Sequence, residues 1–195
     1  MDLIANGTNI LLIVLGIGLL IFVHELGHFL AARWAGIRVD AFAVGMGPQV
    51  LAWRGGVGLR VGSTDPAVHE RTGKSTIELS DAELAAAGIG ETEYSLRLLP
   101  LGGFVKMLGQ DDLDPNASSD SIRSYNRCGI GRRMVVVSAG VFANIVLAVA
   151  LFLVAFLAGV RFEAPMVGEV IPGSPAALAD PVDDGAGPAT SSGLR

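Results

Sequence analysis

The sequence predicts a mainly α-helical membrane protein, in which two transmembrane helices flank a cytosolic, membrane-associated β-region. Three observations lead there. Apolar residues make up 51% of the 195 residues and charged ones only 17%, whereas soluble domains carry about 25% charged residues. Two apolar runs are each long enough to cross a bilayer, which takes about 20 residues. Between them, short apolar runs are punctuated by glycine and proline, the pattern of strands and turns.

The first span falls within residues 1–36. It is apolar from Ile10 to Val23, carries His24, Glu25 and His28, and resumes with Phe29, Leu30, Ala31 and Ala32. Asp2 is the only charge ahead of the run, so the positive n-region of a cleaved signal peptide is missing, and no small-x-small site closes it. The segment therefore reads as a retained helix. The second span, within 129–161, has no Asp, Glu, Lys, Arg or His from Met134 to Val160. Twelve of the 14 Lys and Arg residues lie between Arg33 and Arg133, and only Arg161 and Arg195 follow. By the positive-inside rule the connecting region is cytoplasmic and both ends of the chain lie outside. A net charge of −5 gives no sign of a nucleic-acid partner. The single cysteine, Cys128, excludes an internal disulfide and a multi-cysteine metal cluster.

Residues 37–128 form the β-region. Val39, Phe42 and Val44 are separated from Val50, Leu51 and Trp53 by Gly45-Met46-Gly47-Pro48, which suggests a β-hairpin. Residues 63–92 are polar and acidic and read as a surface insertion. Within it, Ser80-x-x-Glu83 resembles a capping box opening a short helix over Ala82–Ala87, and His69 reads as a solvated surface histidine. Residues 94–108 give a further strand-like run, broken by Pro100 and Gly102-Gly103. Residues 110–126, rich in Asp, Ser and Asn, read as an exposed loop. Beyond the second span, 162–195 begins with a strand running into a turn at Gly168–Ala177 and continues into a Gly/Ala/Pro/Asp-rich, flexible tail from Asp180 to Ser192.

The chemistry centres on His24-Glu25-Leu26-Gly27-His28. Residues i and i+4 of a helix share a face. Two imidazoles so placed can bind one zinc ion, and the intervening carboxylate can act as base toward an attacking water. The plain alternatives are packing histidines, an ion pair between Glu25 and Arg33, and coincidence. A charged side chain at the bilayer centre costs about 2.5–3.5 kcal/mol on insertion scales, so a carboxylate inside such a helix points to a task.

These residues resemble the site-2 proteases, intramembrane zinc metalloproteases, and among them the regulator-of-sigma-E protease type. Gly45-Met46-Gly47-Pro48 looks like the family's Gly-Phe-Gly-Pro element, with Met for Phe. Leu99-Pro100-Leu101-Gly102-Gly103-Phe104-Val105 looks like the strand that follows it, and Gly140-x-x-x-Asn144 is similar to the family's Gly-x-x-x-Asn. Together these cover residues 10–160 in the family's order. The resemblance implies zinc held by His24 and His28, with Glu25 as general base and then acid. It implies hydrolysis of a peptide bond in or near a membrane span, after a first cut by another protease, in the bacterial plasma membrane. The implied partners are the lipid bilayer and membrane-spanning substrates such as an anti-sigma-factor-like protein. The β-region, through Gly45, Gly47, Pro48, Gly102 and Gly103, would guide an extended substrate, and Asn144 would help position it. Plainer roles stand beside these. The glycines permit tight turns, Ala139, Gly140 and Ala143 allow close helix packing, and Asn144 serves as an interhelical hydrogen-bond partner.

Residues 167–178 resemble the start of a PDZ domain, so the full expectation is two spans, a β-region and an incomplete PDZ-like segment. The family's third metal ligand, an Asp in Leu-Asp-Gly, has no counterpart here. The chain is therefore expected to be the N-terminal portion of a longer protein. Two rivals remain: a catalytically inactive adaptor that grips transmembrane segments, which the missing ligand favours and Glu25 opposes, and a metal transporter. A transporter would need several polar helices, whereas the second span offers only Ser138 and Asn144.

Overall fold

The computed structural model describes residues 3–110 and 121–159. In chain order they form α1 (Leu3–Trp34), β1 (Val39–Arg54), β2 (Gly58–Val61), α2 (Asp65–Thr72), α3 (Asp81–Ala86), β3 (Glu93–Met107), a 3-10 turn (Tyr125–Arg127) and α4 (Ile130–Ala158). The PDZ-like segment, the turn at 168–177 and the tail lie outside the described residues, as does the middle of the 110–126 loop.

Both predicted spans are helices. Gly7–Trp34 and Ile130–Ala158 are each long and apolar enough to cross a bilayer. Large apolar side chains stand exposed along them, including Ile10, Leu12 and Leu15 on α1 and Phe142, Phe152 and Leu157 on α4. A helix that is apolar all round and uncovered by protein belongs in lipid. The chain is a membrane protein.

The three strands form one sheet in the order β2-β1-β3. The predicted hairpin about Gly45–Pro48 takes another form: β1 runs unbroken through those residues and bends there. Val39–Val44 pairs with Gly103–Met107, the register running from Val39 opposite Met107 to Val44 opposite Gly103. Leu51–Arg54 pairs with Glu93–Leu96, and Glu93–Leu96 also lies in register with Ala41–Val44. The two arms of β1 thus embrace the first arm of β3 rather than each other. Two positions show why glycine stands at the bends. Gly45 has φ +90°, and a Cβ there would lie 2.5 Å from the Leu99 carbonyl oxygen; Gly102 has φ +95°, and its Cβ would lie 2.4 Å from Met46 Cγ. The true hairpin joins β1 to β2, with Arg54 opposite Gly58.

A core of Phe29, Ala32, Ala35, Ile37, Val39, Phe42, Met107 and Val136 ties the end of α1 to the sheet and to α4. Phe29 and Phe42 meet with ring centroids 5.1 Å apart, and Phe22 reaches Phe42 at 6.1 Å. The sheet is therefore fixed against the half of α1 that carries the histidines.

The polar insertion folds around its own small core of Val68, Leu79, Leu84 and Ile89. Ser80 caps α3 with both halves of the expected capping box, and Glu83, hydrogen-bonded to Lys74 and Ser80, has its pKa lowered to about 2. His69 is exposed. Two buried arginines fasten the insertion to β1. Arg38 donates to Asp40, to Asp81 and to the carbonyls of Thr76 and Leu79. Arg54 donates to Thr64 and to the carbonyls of Gly90 and Glu91.

Candidate active site

The site lies where α1 meets α4. Small residues bring the two helices close: a Cβ on Gly27 would stand 2.5 Å from the Ala139 carbonyl oxygen and 2.8 Å from the Ala143 Cβ. Gly27, one of the two unassigned positions of the His-Glu-x-x-His pattern, is thereby tied to the packing. On α4, a Cβ at Gly140 would lie 2.5 Å from His28 Nε2 and 2.7 Å from His24 Nε2. Both imidazoles occupy the space that this side chain would fill.

The helical spacing brings the two Nε2 atoms to 3.1 Å from each other. Their far nitrogens are held by α4. His28 Nδ1 is 2.7 Å from the Val136 carbonyl oxygen, and His24 Nδ1 is 3.2 Å from Asn144 Nδ2. A carbonyl oxygen only accepts, so His28 carries its proton on Nδ1 and presents the Nε2 lone pair.

Two nitrogens on a four-coordinate metal at about 2.0–2.1 Å stand roughly 3.3 Å apart, close to the spacing found here. Metal-binding imidazoles typically donate their other ring N–H to a carbonyl or side chain; His28 does so to the Val136 carbonyl, while His24 Nδ1 faces the Asn144 amide nitrogen. The residues present fit a zinc ion as two of its ligands. Among the described residues no group of three or more His, Cys, Asp or Glu is placed to hold a metal.

Glu25 and His28 line a cleft of about 380 Å³ whose other walls include Gly103, Phe104, Gln110 and Tyr125. The Glu25 side chain lies against Gly103, where a Cβ would meet Glu25 Cγ at 3.0 Å and the Ala43 carbonyl oxygen at 2.9 Å. The ion pair weighed for Glu25 does not form: Arg33 sits over the Phe29 ring, 5.8 Å from its centroid. Glu25 thus faces the cleft beside His28, with no ion-pair partner among the described residues.

The structure brings His24, Glu25, His28, Asn144 and Gly103 to one place. Gly45 and Gly47 lie instead at the bend of β1 near Leu99, and Gly102 packs on Met46. Sequence reasoning missed the Val136 carbonyl and Gln110, whose buried Oε1 has no hydrogen-bond partner among the described residues. A backbone carbonyl leaves no trace in residue type, and a glutamine at the edge of a polar loop reads as solvated.

The sequence profile of peptidase family M50 matches residues 12–59 and 74–189. The chain is 39% identical over 168 residues to a Clostridium perfringens protein named as a zinc metalloprotease, covering 86% of this chain and 38% of that one. It is 33% identical over 166 residues to the regulator of sigma-E protease of Escherichia coli, covering 85% of this chain and 29% of that one. It therefore spans little more than a third, at most, of the length of these relatives. The profile match covers most of the chain, in step with the paired imidazoles and the neighbouring carboxylate, and the chain belongs to peptidase family M50, the site-2 protease family.

Proposed function

We propose that this chain carries the catalytic half-site of a zinc endopeptidase that cuts membrane-anchored substrates within or beside their membrane span. The observation that carries this is the convergence of the His24 and His28 Nε2 atoms beside Glu25, on a lipid-facing helix and at the mouth of a cleft. His24 and His28 would hold zinc, which supplies Lewis acidity toward a carbonyl and toward water. Glu25 takes the proton from the attacking water and delivers it to the leaving amine nitrogen. The third ligand would come from the length of the relatives beyond what this chain covers.

The substrate would enter as an extended segment between Glu25 and the Gly103–Met107 arm of β3, which forms the sheet edge there. Gly45, Gly47, Pro48 and Gly102 support that role indirectly, by shaping the bends that place the arm. The sheet exposes Met46, Trp53, Leu98, Leu99 and Leu101, and Pro100 approaches Gly18, six residues before His24, where a Cβ would lie 3.0 Å from the Pro100 carbonyl oxygen. An apolar sheet at that level of α1 supports membrane association. The Lys and Arg bias supports a cytoplasmic β-region in the bacterial plasma membrane, and membrane-anchored regulators such as an anti-sigma-factor-like protein fit as substrates.

In the longer protein, Glu25→Gln is expected to abolish cleavage of a membrane-anchored reporter while leaving bound zinc unchanged. Cleavage at the wild-type rate would overturn the mechanism. Wild-type protein that captures the reporter without cutting it would favour the adaptor reading.

A further inference from the structure

We propose that Asn144 is a positioning residue that sets the tautomer of His24, in a space that Gly140 leaves open for both metal-facing imidazoles. The inference rests on the metalloprotease reading and gives Asn144 a task through His24 rather than on substrate.

As the side chains stand, the Asn144 amide N–H faces His24 Nδ1 at 3.2 Å, while Asn144 Oδ1 is buried without a partner among the described residues. An amide donating to Nδ1 leaves the His24 proton on Nε2, where it points at His28 Nε2, 3.1 Å away. In that arrangement only one of the two facing nitrogens offers a lone pair. A half-turn of the amide exchanges its two ends and moves few other atoms. His24 Nδ1–H then donates to Asn144 Oδ1, and the orphaned acceptor is satisfied. His24 Nε2 becomes a lone pair facing that of His28, whose own tautomer is already fixed by the Val136 carbonyl. The proton count does not change; one proton moves between the two nitrogens of a neutral ring. The arrangement with two facing lone pairs needs only the acceptor oxygen of the amide, which an aliphatic side chain lacks.

Gly140, one helical turn before Asn144, completes the arrangement. Any Cβ there would fall within 2.7 Å of both Nε2 atoms. Glycine and asparagine four apart on α4 thus address the same pair of rings.

The chain has only three histidines, His24, His28 and His69, so selective 15N-histidine labelling in detergent resolves them. Zinc is the probe, with affinity read by competition against a chelator. With saturating zinc, wild-type His24 should carry its proton on Nδ1. Asn144→Leu should lose that signature and bind zinc about 10–100-fold more weakly, the usual cost of removing a partner of a metal ligand. Asn144→Asp keeps the acceptor oxygen without the N–H and should retain most of the affinity. Equal losses in the two variants would mean that the contact only holds the helices together, and would overturn the proposal. So would unchanged affinity and an unchanged His24 spectrum in Asn144→Leu; lost cleavage by the longer protein carrying that substitution would then place Asn144 on the substrate and leave the metalloprotease reading standing. Wild-type protein of the relatives' full length, third ligand included, that takes up no zinc would overturn both.

Discussion

At the base of the insertion, the buried guanidinium of Arg38 uses all three of its nitrogens: it donates to Asp40 at 2.8 Å, to Asp81 at 3.1 Å, and to the carbonyls of Leu79 and Thr76 at 2.8 and 3.0 Å. At the helix crossing, Asn144 Oδ1 has no partner among the described residues, and in the adjoining cleft Gln110 Oε1 has none among them either. Both regions bury polar groups, but only one satisfies them. A completed network rigidifies and fixes one arrangement, whereas an orphaned acceptor leaves a group able to change partners. The insertion is a clamp, and the crossing keeps polar groups that can still take a partner.

The largest effect should come from breaking the completed network. Arg38→Met leaves Asp40 buried without its cation and two carbonyls without a donor. Burial raises the Asp40 pKa even with Arg38 beside it, so this carboxylate tolerates isolation poorly. Removing one partner of a buried pair costs about 3–5 kcal/mol. Chemical unfolding of the β-region should show that loss, with the zinc affinity of the folded protein unchanged. If stability holds and zinc binding falls, the division between clamp and site is wrong.

Gly140→Ala attacks the other region. The new Cβ would press on both imidazoles, and zinc affinity should fall by about 100-fold, or about 2.7 kcal/mol, with helix content retained. Chelator competition and circular dichroism read the two quantities separately. An unchanged zinc affinity would show that the helices can part without disturbing the site.

How much of this was legible in the sequence follows the same division. His24 and His28 could be paired because four residues on one helix fix their relation before any tertiary contact forms. The capping box at Ser80 was legible for the same reason. The embrace of β3 by the two arms of β1 was not, because its register joins residues some fifty positions apart, such as Phe42 with Tyr94, and a bend at Gly45–Pro48 looks locally like a hairpin turn. Nothing in the sequence marks Arg38 and Arg54 as buried. Their burial is decided by carbonyls and carboxylates on α3 and the loops around it, which composition does not reveal. Asn144 and Gly140 were visible as a spaced pair, but which ring they address depends on how α4 crosses α1.

The smallest effect tests whether the clamp responds to acid. Glu93 accepts from Gln49 at 2.7 Å, from Ser63 at 3.1 Å, and from both the backbone and hydroxyl of Thr64. Burial alone would raise its pKa, but these hydrogen bonds and the charge of Arg54 hold it below the ordinary 4.5. A carboxyl with a lower pKa folded than unfolded adds stability above the unfolded value, and that stability is lost as pH falls through the folded one. Asp40 acts in the opposite sense, because its raised pKa makes protonation easier in the fold, so the acid step is softened rather than abrupt. Limited proteolysis of the insertion should therefore stay slow at neutral pH and accelerate below about pH 4.5. Glu93→Gln should cost about 1.5–3 kcal/mol at neutral pH, the worth of hydrogen bonds to a charged group, and should flatten the acid step. A step that survives in Glu93→Gln would assign it to another carboxylate of the clamp, with Asp81 and Asp65, both paired with the buried arginines, the next to test.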